Sequence, residues 1–134
     1  MGVVILDMFK NQVLLAVIIS WFAAQTIKVV IYKDIRKYVA FGGMPSAHTA
    51  VVTCMGWMIG RVEGFDSPIF AMAAVVFAIV VAEVIGIRGA IMKFMKDVNK
   101  KLGITHSSRM NHTFSEVLVG FVIGTVVAFL FPLK

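Results

Sequence analysis

The chain has 134 residues, 60% of them hydrophobic and only 15% charged, with a mean hydropathy of +0.93 and a formal charge of +6. A composition this apolar excludes an ordinary soluble domain, and the length holds four membrane spans of about 20 residues with no room for a second domain. The excess of 13 Lys and Arg over 7 Asp and Glu reads as cytoplasmic loops meeting anionic lipid, which excludes a nucleic-acid partner.

The first apolar run covers residues 11–32. Val13 to Tyr32 is long enough to span a bilayer and has no small-residue cleavage site after it, so it reads as a helix rather than a signal sequence. A second, shorter run covers 45–61 and contains Cys54, the single cysteine, which has no intrachain partner and reads as a small packing residue. The third run covers 67–87. After it, Ile91, Phe94, Met95, Val98 and Leu102 repeat at spacings of three and four, with Lys93, Lys96, Asp97 and Lys100 on the opposite face and Gly103 as the stop. That pattern predicts an amphipathic helix, either lying in the membrane interface or packed on the bundle. The fourth run covers 113–133. Runs two and four each carry glycines four apart, Gly56 with Gly60 and Gly120 with Gly124, which predicts close helix packing within one chain or in a homo-oligomer. The expected fold is an all-α membrane protein forming one domain over 1–134, with four transmembrane helices plus an amphipathic interfacial helix between helices three and four.

The basic residues orient it. Lys28, Lys33, Arg36 and Lys37 follow run one, and Arg88, Lys93, Lys96, Lys100, Lys101 and Arg109 separate runs three and four. The other side holds Lys10, Arg61 and Lys134, so the positive-inside rule puts both termini outside and the two basic loops in the cytoplasm.

In that topology Lys28, Ser46, His48, Glu83, Arg88, His112 and Glu116 meet at one membrane face. Ionisable residues at membrane depth are costly and are kept for pairing or function. In Gly42-Gly-Met-Pro-Ser-Ala-His48 the glycines, Gly43 among them, can turn backbone N–H groups toward an anion, and Ser46 can donate a hydrogen bond. The same residues also make a plain Gly-Pro turn opening a helix. His112 and Glu116, four apart, lie about 40° apart on a helix, so the carboxylate can hold one ring nitrogen and leave the other free. Thr113 and Glu116 equally have the spacing of a capping box. Two histidines among cations suit phosphate ester cleavage: one imidazole attacks phosphorus, the other protonates the leaving oxygen, and the cations neutralise the oxyanions. A zinc site from His48, His112 and Glu116 is the competing use, without an HExxH or cysteine pair to support it.

These segments, Gly42 to His48, Glu63-Gly-Phe-Asp-Ser-Pro68, Gly86-Ile-Arg88 and His112-Thr-Phe-Ser-Glu116, together resemble the divergent branch of the type 2 phosphatidic acid phosphatase and vanadium haloperoxidase superfamily. The resemblance runs from Gln25 and Lys28 to the glycine-rich last helix. It implies a metal-independent lipid phosphatase with no cofactor, acting on a lipid phosphate monoester or pyrophosphate; the residues also leave open a non-catalytic anionic-lipid-binding or assembly membrane protein, or a small transporter subunit. His48 would be the general acid and His112 the nucleophile that becomes a phosphohistidine, oriented by Glu116. Ser46 and Gly43 would belong to the phosphate cradle, Lys28 and Arg88 would bind oxyanions, and Glu83 would fix one of these cations. Arg109, after Ser108, is the other candidate for the arginine of the third motif. Ala47 stands where the superfamily has glycine, Glu116 where it has aspartate, and Lys28 and Arg36 are spaced more widely than its first motif. Six-helix relatives commonly place this site on the outer side of the membrane, whereas the charge asymmetry here places it in the cytoplasm.

Overall fold

A computed structural model describes residues 8–39, 42–104 and 112–133, and every regular element in it is helical. Helix α1 runs Gln12–Tyr32 behind an Asn11 cap whose side chain accepts from Leu14 N at 3.0 Å. A 3-10 turn, Ile35–Val39, follows. Helix α2, Ala47–Glu63, is capped by Ser46, and α3, Pro68–Ala82, by Ser67 with proline in its first turn, where a missing N–H costs nothing. A π turn, Glu83–Ile87, leads into α4, Arg88–Leu102, and α5 spans Phe114–Leu130.

Helix α2 is the centre, packed against α1, α3 and α5, while α1 and α5 also touch. The packing is built on small residues. Ala16, Cys54, Met58 and Ala128 form one buried cluster, and Ala24, Ala47 and Ala50 another. A Cβ on Gly120 would collide with the Ser46 carbonyl oxygen, and one on Gly124 with that of Ala50, so α5 lies backbone against backbone on the first turns of α2. The other glycine pair does something different. Gly56 has open space where its Cβ would be, and Gly60 faces the Phe65 ring in the following loop. Within one chain, close helix packing therefore holds for the pair in α5, and the pair in α2 makes no such contact.

Among the described residues two helices are long and apolar enough to cross a membrane, Gln12–Tyr32 and the continuous Pro68–Leu102 of 35 residues; α5, Phe114–Leu130, is a shorter apolar helix. Helix α3 turns Ile69, Met72, Val75 and Ile79 outward and buries only Ala73, as a helix facing lipid does. The separate interfacial helix expected after run three is instead the continuation of α3. Gly86 and Gly89 do not break it, because the π turn absorbs the irregularity, with Arg88 N donating to the Glu83 carbonyl five residues back. At 1.5 Å per residue the whole rod is about 52 Å long, well beyond a hydrocarbon core of about 30 Å. The amphipathic part, α4, ends at Gly103 in a left-handed conformation (φ 65°).

Candidate active site

The site forms where α1 ends, α2 and α5 begin, and the α3 rod carries its π turn. Two backbone hydrogen bonds set this register. Ser46 N donates to the Glu116 carbonyl at 3.0 Å, and His112 N donates to the Val84 carbonyl at 3.2 Å. The first joins the openings of α2 and α5, and the second ties the residue ahead of α5 to the π turn.

Within this junction the two imidazoles lie with ring centroids 6.2 Å apart at an interplanar angle of 61°. His112 Nδ1 is 3.3 Å from Glu116 Oε2, and both residues are buried, at 2% and 4% exposure. The same carboxylate oxygen accepts from Thr113 N at 3.0 Å, while Thr113 Oγ1 accepts from Glu116 N, completing a capping box. Sequence alone left Glu116 between a capping and an orienting role; in the fold one carboxylate oxygen meets both Thr113 N and His112 Nδ1. His112 Nε2 is left buried without a hydrogen-bond partner, as is His48 Nδ1.

Burial, the leading cause, pushes the His112 imidazole below its ordinary value, helped by the charges of Lys28 and Arg88 and opposed by Glu116. His112 lies two residues ahead of α5, and the neutral ring that results keeps a lone pair on a nitrogen.

The cations converge on the same place. Lys28, on the last turns of α1, is 1% exposed and lies within electrostatic reach of Glu116. Arg88 is held by Glu83 through a bond of 2.6 Å from Nε to Oε1, with the side chains 23% and 34% exposed. The π turn brings these partners, five apart in sequence, side by side. Lys28, Glu83, Arg88 and His112 all act electrostatically on His48.

The segment 42–48 does less of what an anion cradle requires. Gly43 is buried at φ 93°, where a Cβ would strike the Tyr32 hydroxyl, and that hydroxyl accepts from Met44 N at 3.0 Å. Ser46 N is spent on Glu116, and the Ser46 hydroxyl accepts from Thr49 N at 3.4 Å and from Thr49 Oγ1 at 3.0 Å. The Met44 and Ser46 N–H groups therefore brace the turn, while the Ser46 hydroxyl accepts in both of its bonds. Tyr32 escaped the sequence reading, although its position one turn beyond Lys28 on the same helix face was the available signal. Arg109 and Ser108 lie outside the described residues. Among the described residues no three of His, Cys, Asp and Glu gather in a way that could hold a metal ion.

A cavity of about 410 Å³ opens beside His48 and Lys28, walled by Trp21, Gln25, Val51 and Val80 among others. Lys28 and His48 are the members of the cluster that line it, and apart from Gln25 the rest of its wall is apolar, the division an amphiphile with an anionic head would match.

A family model described as the Divergent PAP2 family matches residues 9–127. An uncharacterized membrane protein, YuiD, of Bacillus subtilis (strain 168) is 30% identical over 89 residues, which covers 62% of this chain and 56% of that protein. The chain thus spans about half the length of this relative. No solved structure matches.

Proposed function

The chain belongs to the Divergent PAP2 family, and from that premise we propose that it is an integral-membrane phosphatase cleaving a lipid phosphate monoester or pyrophosphate through a phosphohistidine. The observation that carries this reading is the state of His112: one ring nitrogen faces Glu116, the other is buried without a partner, and a second imidazole lies 6.2 Å away. A buried nitrogen left unpaired costs free energy, so it is kept for a partner that arrives with substrate.

In the proposed reaction His112 Nε2 attacks phosphorus and forms the P–N bond as the bond to the leaving oxygen breaks. Protonated His48 gives its proton to that oxygen. Water then attacks phosphorus with His48 taking its proton, the P–N bond breaks, and inorganic phosphate leaves with His112 neutral again. Glu116 stabilises the ring through Nδ1 as positive charge develops on it, and Lys28 and Arg88 neutralise the oxyanions. No step needs a metal or a cofactor.

The reading includes four spans, α1, α2, the α3 rod and α5, with both termini outside and the site on the cytoplasmic side. It is supported by the basic residues Lys33, Arg36 and Lys37 after α1 and the lysines of α4. Membrane lipids then surround the bundle, and the lipid phosphate is the partner the site takes.

The test is phosphate release from a panel of lipid phosphates in EDTA, with wild type, His48→Ala and His112→Ala side by side. Release that requires both histidines and survives EDTA is expected. Release that persists without His112, or that EDTA abolishes, overturns the mechanism.

A further inference from the structure

Gln25 sits in the wall of the 410 Å³ cavity, 5% exposed, with its Oε1 buried and without a hydrogen-bond partner. It precedes Lys28 by three residues on α1, so it lies on the same helix face and about 4.5 Å farther from the charged end. The neighbouring wall is apolar: Trp21 on α1, Val51 on α2 and Val80 on α3. Several interior polar groups of this bundle have found partners, while Thr53 Oγ1, which does not line this cavity, is like Gln25 Oε1 buried without one. The Ser20 hydroxyl donates to the Ala50 carbonyl at 3.0 Å, and Trp57 Nε1 donates to Thr125 Oγ1 at 3.0 Å. A carboxamide held among apolar side chains without a partner is destabilising, and leucine would fill the same space without that cost.

Building on the phosphatase reading, we propose that Gln25 determines specificity by hydrogen-bonding the polar linker that joins a substrate's phosphate to its hydrocarbon chain. With the phosphate at Lys28, His48 and Arg88, the carboxamide meets the next few atoms of the ligand. A glycerol-type linker with a free hydroxyl can donate to Oε1 there, which an ester oxygen cannot do. A polyprenyl phosphate carries only hydrocarbon beyond its ester oxygen and leaves the amide unsatisfied. The argument holds for either orientation of the amide, because a hydroxyl can both donate and accept. The remaining cavity takes the start of the chain, and its volume is within the range of small-molecule sites, about 300–1,000 Å³. The site therefore selects phosphorylated glycerol-type amphiphiles over polyprenyl phosphates, since a site built for a hydrogen bond rejects the ligand lacking it.

The experiment is a binding titration of the full chain in detergent micelles, read by the change in tryptophan fluorescence, since Trp21 lies in the cavity wall and Trp57 does not. The probes are two non-hydrolysable phosphonates of equal chain length, one with a glycerol linker and one with an unsubstituted alkyl linker. Wild type is expected to bind the glycerol probe about tenfold more tightly, and Gln25→Leu to bind both alike with an unreduced melting temperature. Equal binding by wild type, or a preference that survives in Gln25→Leu, overturns the proposal. Gln25→Met repeats the comparison if the leucine variant does not fold, and equal wild-type affinities overturn the proposal whatever the variants do. Binding needs no turnover, so a linker preference without phosphate release from any lipid would sink the phosphatase reading and leave this one standing.

Discussion

Ser46 and Glu116 share a backbone hydrogen bond of 3.0 Å from the Ser46 N–H to the Glu116 carbonyl, joining the openings of α2, which carries His48, and α5, which His112 precedes. His48 is two residues beyond Ser46, and His112 is four residues before Glu116 and bonded to its side chain. The spacing between the imidazoles is thus set by backbone, and anything that separates α2 from α5 separates them.

Gly120→Ala tests that dependence. Its methyl group would meet the Ser46 carbonyl and the Thr49 Cβ, neither of which can swing away as a side-chain tip does. Overpacking of this kind costs about 1–3 kcal/mol. A lower melting temperature together with a fall in kcat is expected, whereas Gly56→Ala, with nothing within 4 Å of its added methyl, should leave both unchanged. Thermal unfolding in detergent and phosphate release measure the two effects.

His112→Ala should remove the nucleophile and reduce phosphate release by about a thousandfold or more, as loss of a covalent catalyst does. The variant should still fold, because the His112 backbone bond to Val84 needs no side chain. Melting curves with release assays check both parts.

The two roles of Glu116 can be separated by substitution. Glu116→Ala loses the carboxylate that caps Thr113 N and should cost about 1 kcal/mol of stability, whereas Glu116→Gln can keep that hydrogen bond through its amide oxygen. Both should lose activity, since neither balances the charge that develops on His112. Equal activity in Glu116→Gln and wild type would make the residue a cap alone.

The pH profile follows from the environment of His112. Burial lowers its pKa below the usual 6.5, with Lys28 and Arg88 acting in the same direction and Glu116 against them. The reactive ring is neutral, so kcat/KM should not fall as pH drops through 6.5, where His48 still gains the proton it donates, and should decline only below the lowered value. Removing the Glu116 charge removes what favours the protonated ring. In Glu116→Gln the acid limb should therefore move to still lower pH, even as the plateau drops. Profiles of kcat/KM over about pH 4–8 decide the direction.

Glu83→Gln leaves Arg88 without its 2.6 Å partner. The pair is partly exposed, so the stability change should stay below about 1 kcal/mol. The KM for a lipid phosphate should rise several-fold as the guanidinium loses its fixed orientation. Initial-rate kinetics separate this from a change in kcat.

The helix starts and most of the apolar runs were legible in the linear chain, because hydropathy runs and local caps depend on neighbours in sequence. Asn11, Ser67 and Thr113 stand where helix starts require them, and Gly103 where α4 requires a stop. The gathering of Lys28, His48, Arg88 and His112 followed from placing apolar runs side by side with alternating direction. The continuity of α3 into α4 was not legible, because a π turn depends on one shifted hydrogen bond and leaves no mark on hydropathy. Nor could spacing tell that Gly120 and Gly124 contact α2 while Gly56 faces open space, since both pairs read alike until a neighbouring helix chooses a face. The unsatisfied amide of Gln25 and the bond from Met44 to Tyr32 likewise exist only once separate helices meet. Periodicity and capping act within a turn or two of chain, so they were open to reading from residue order; burial, register between helices and the partners of polar groups are set by packing, and only the folded bundle could assign them.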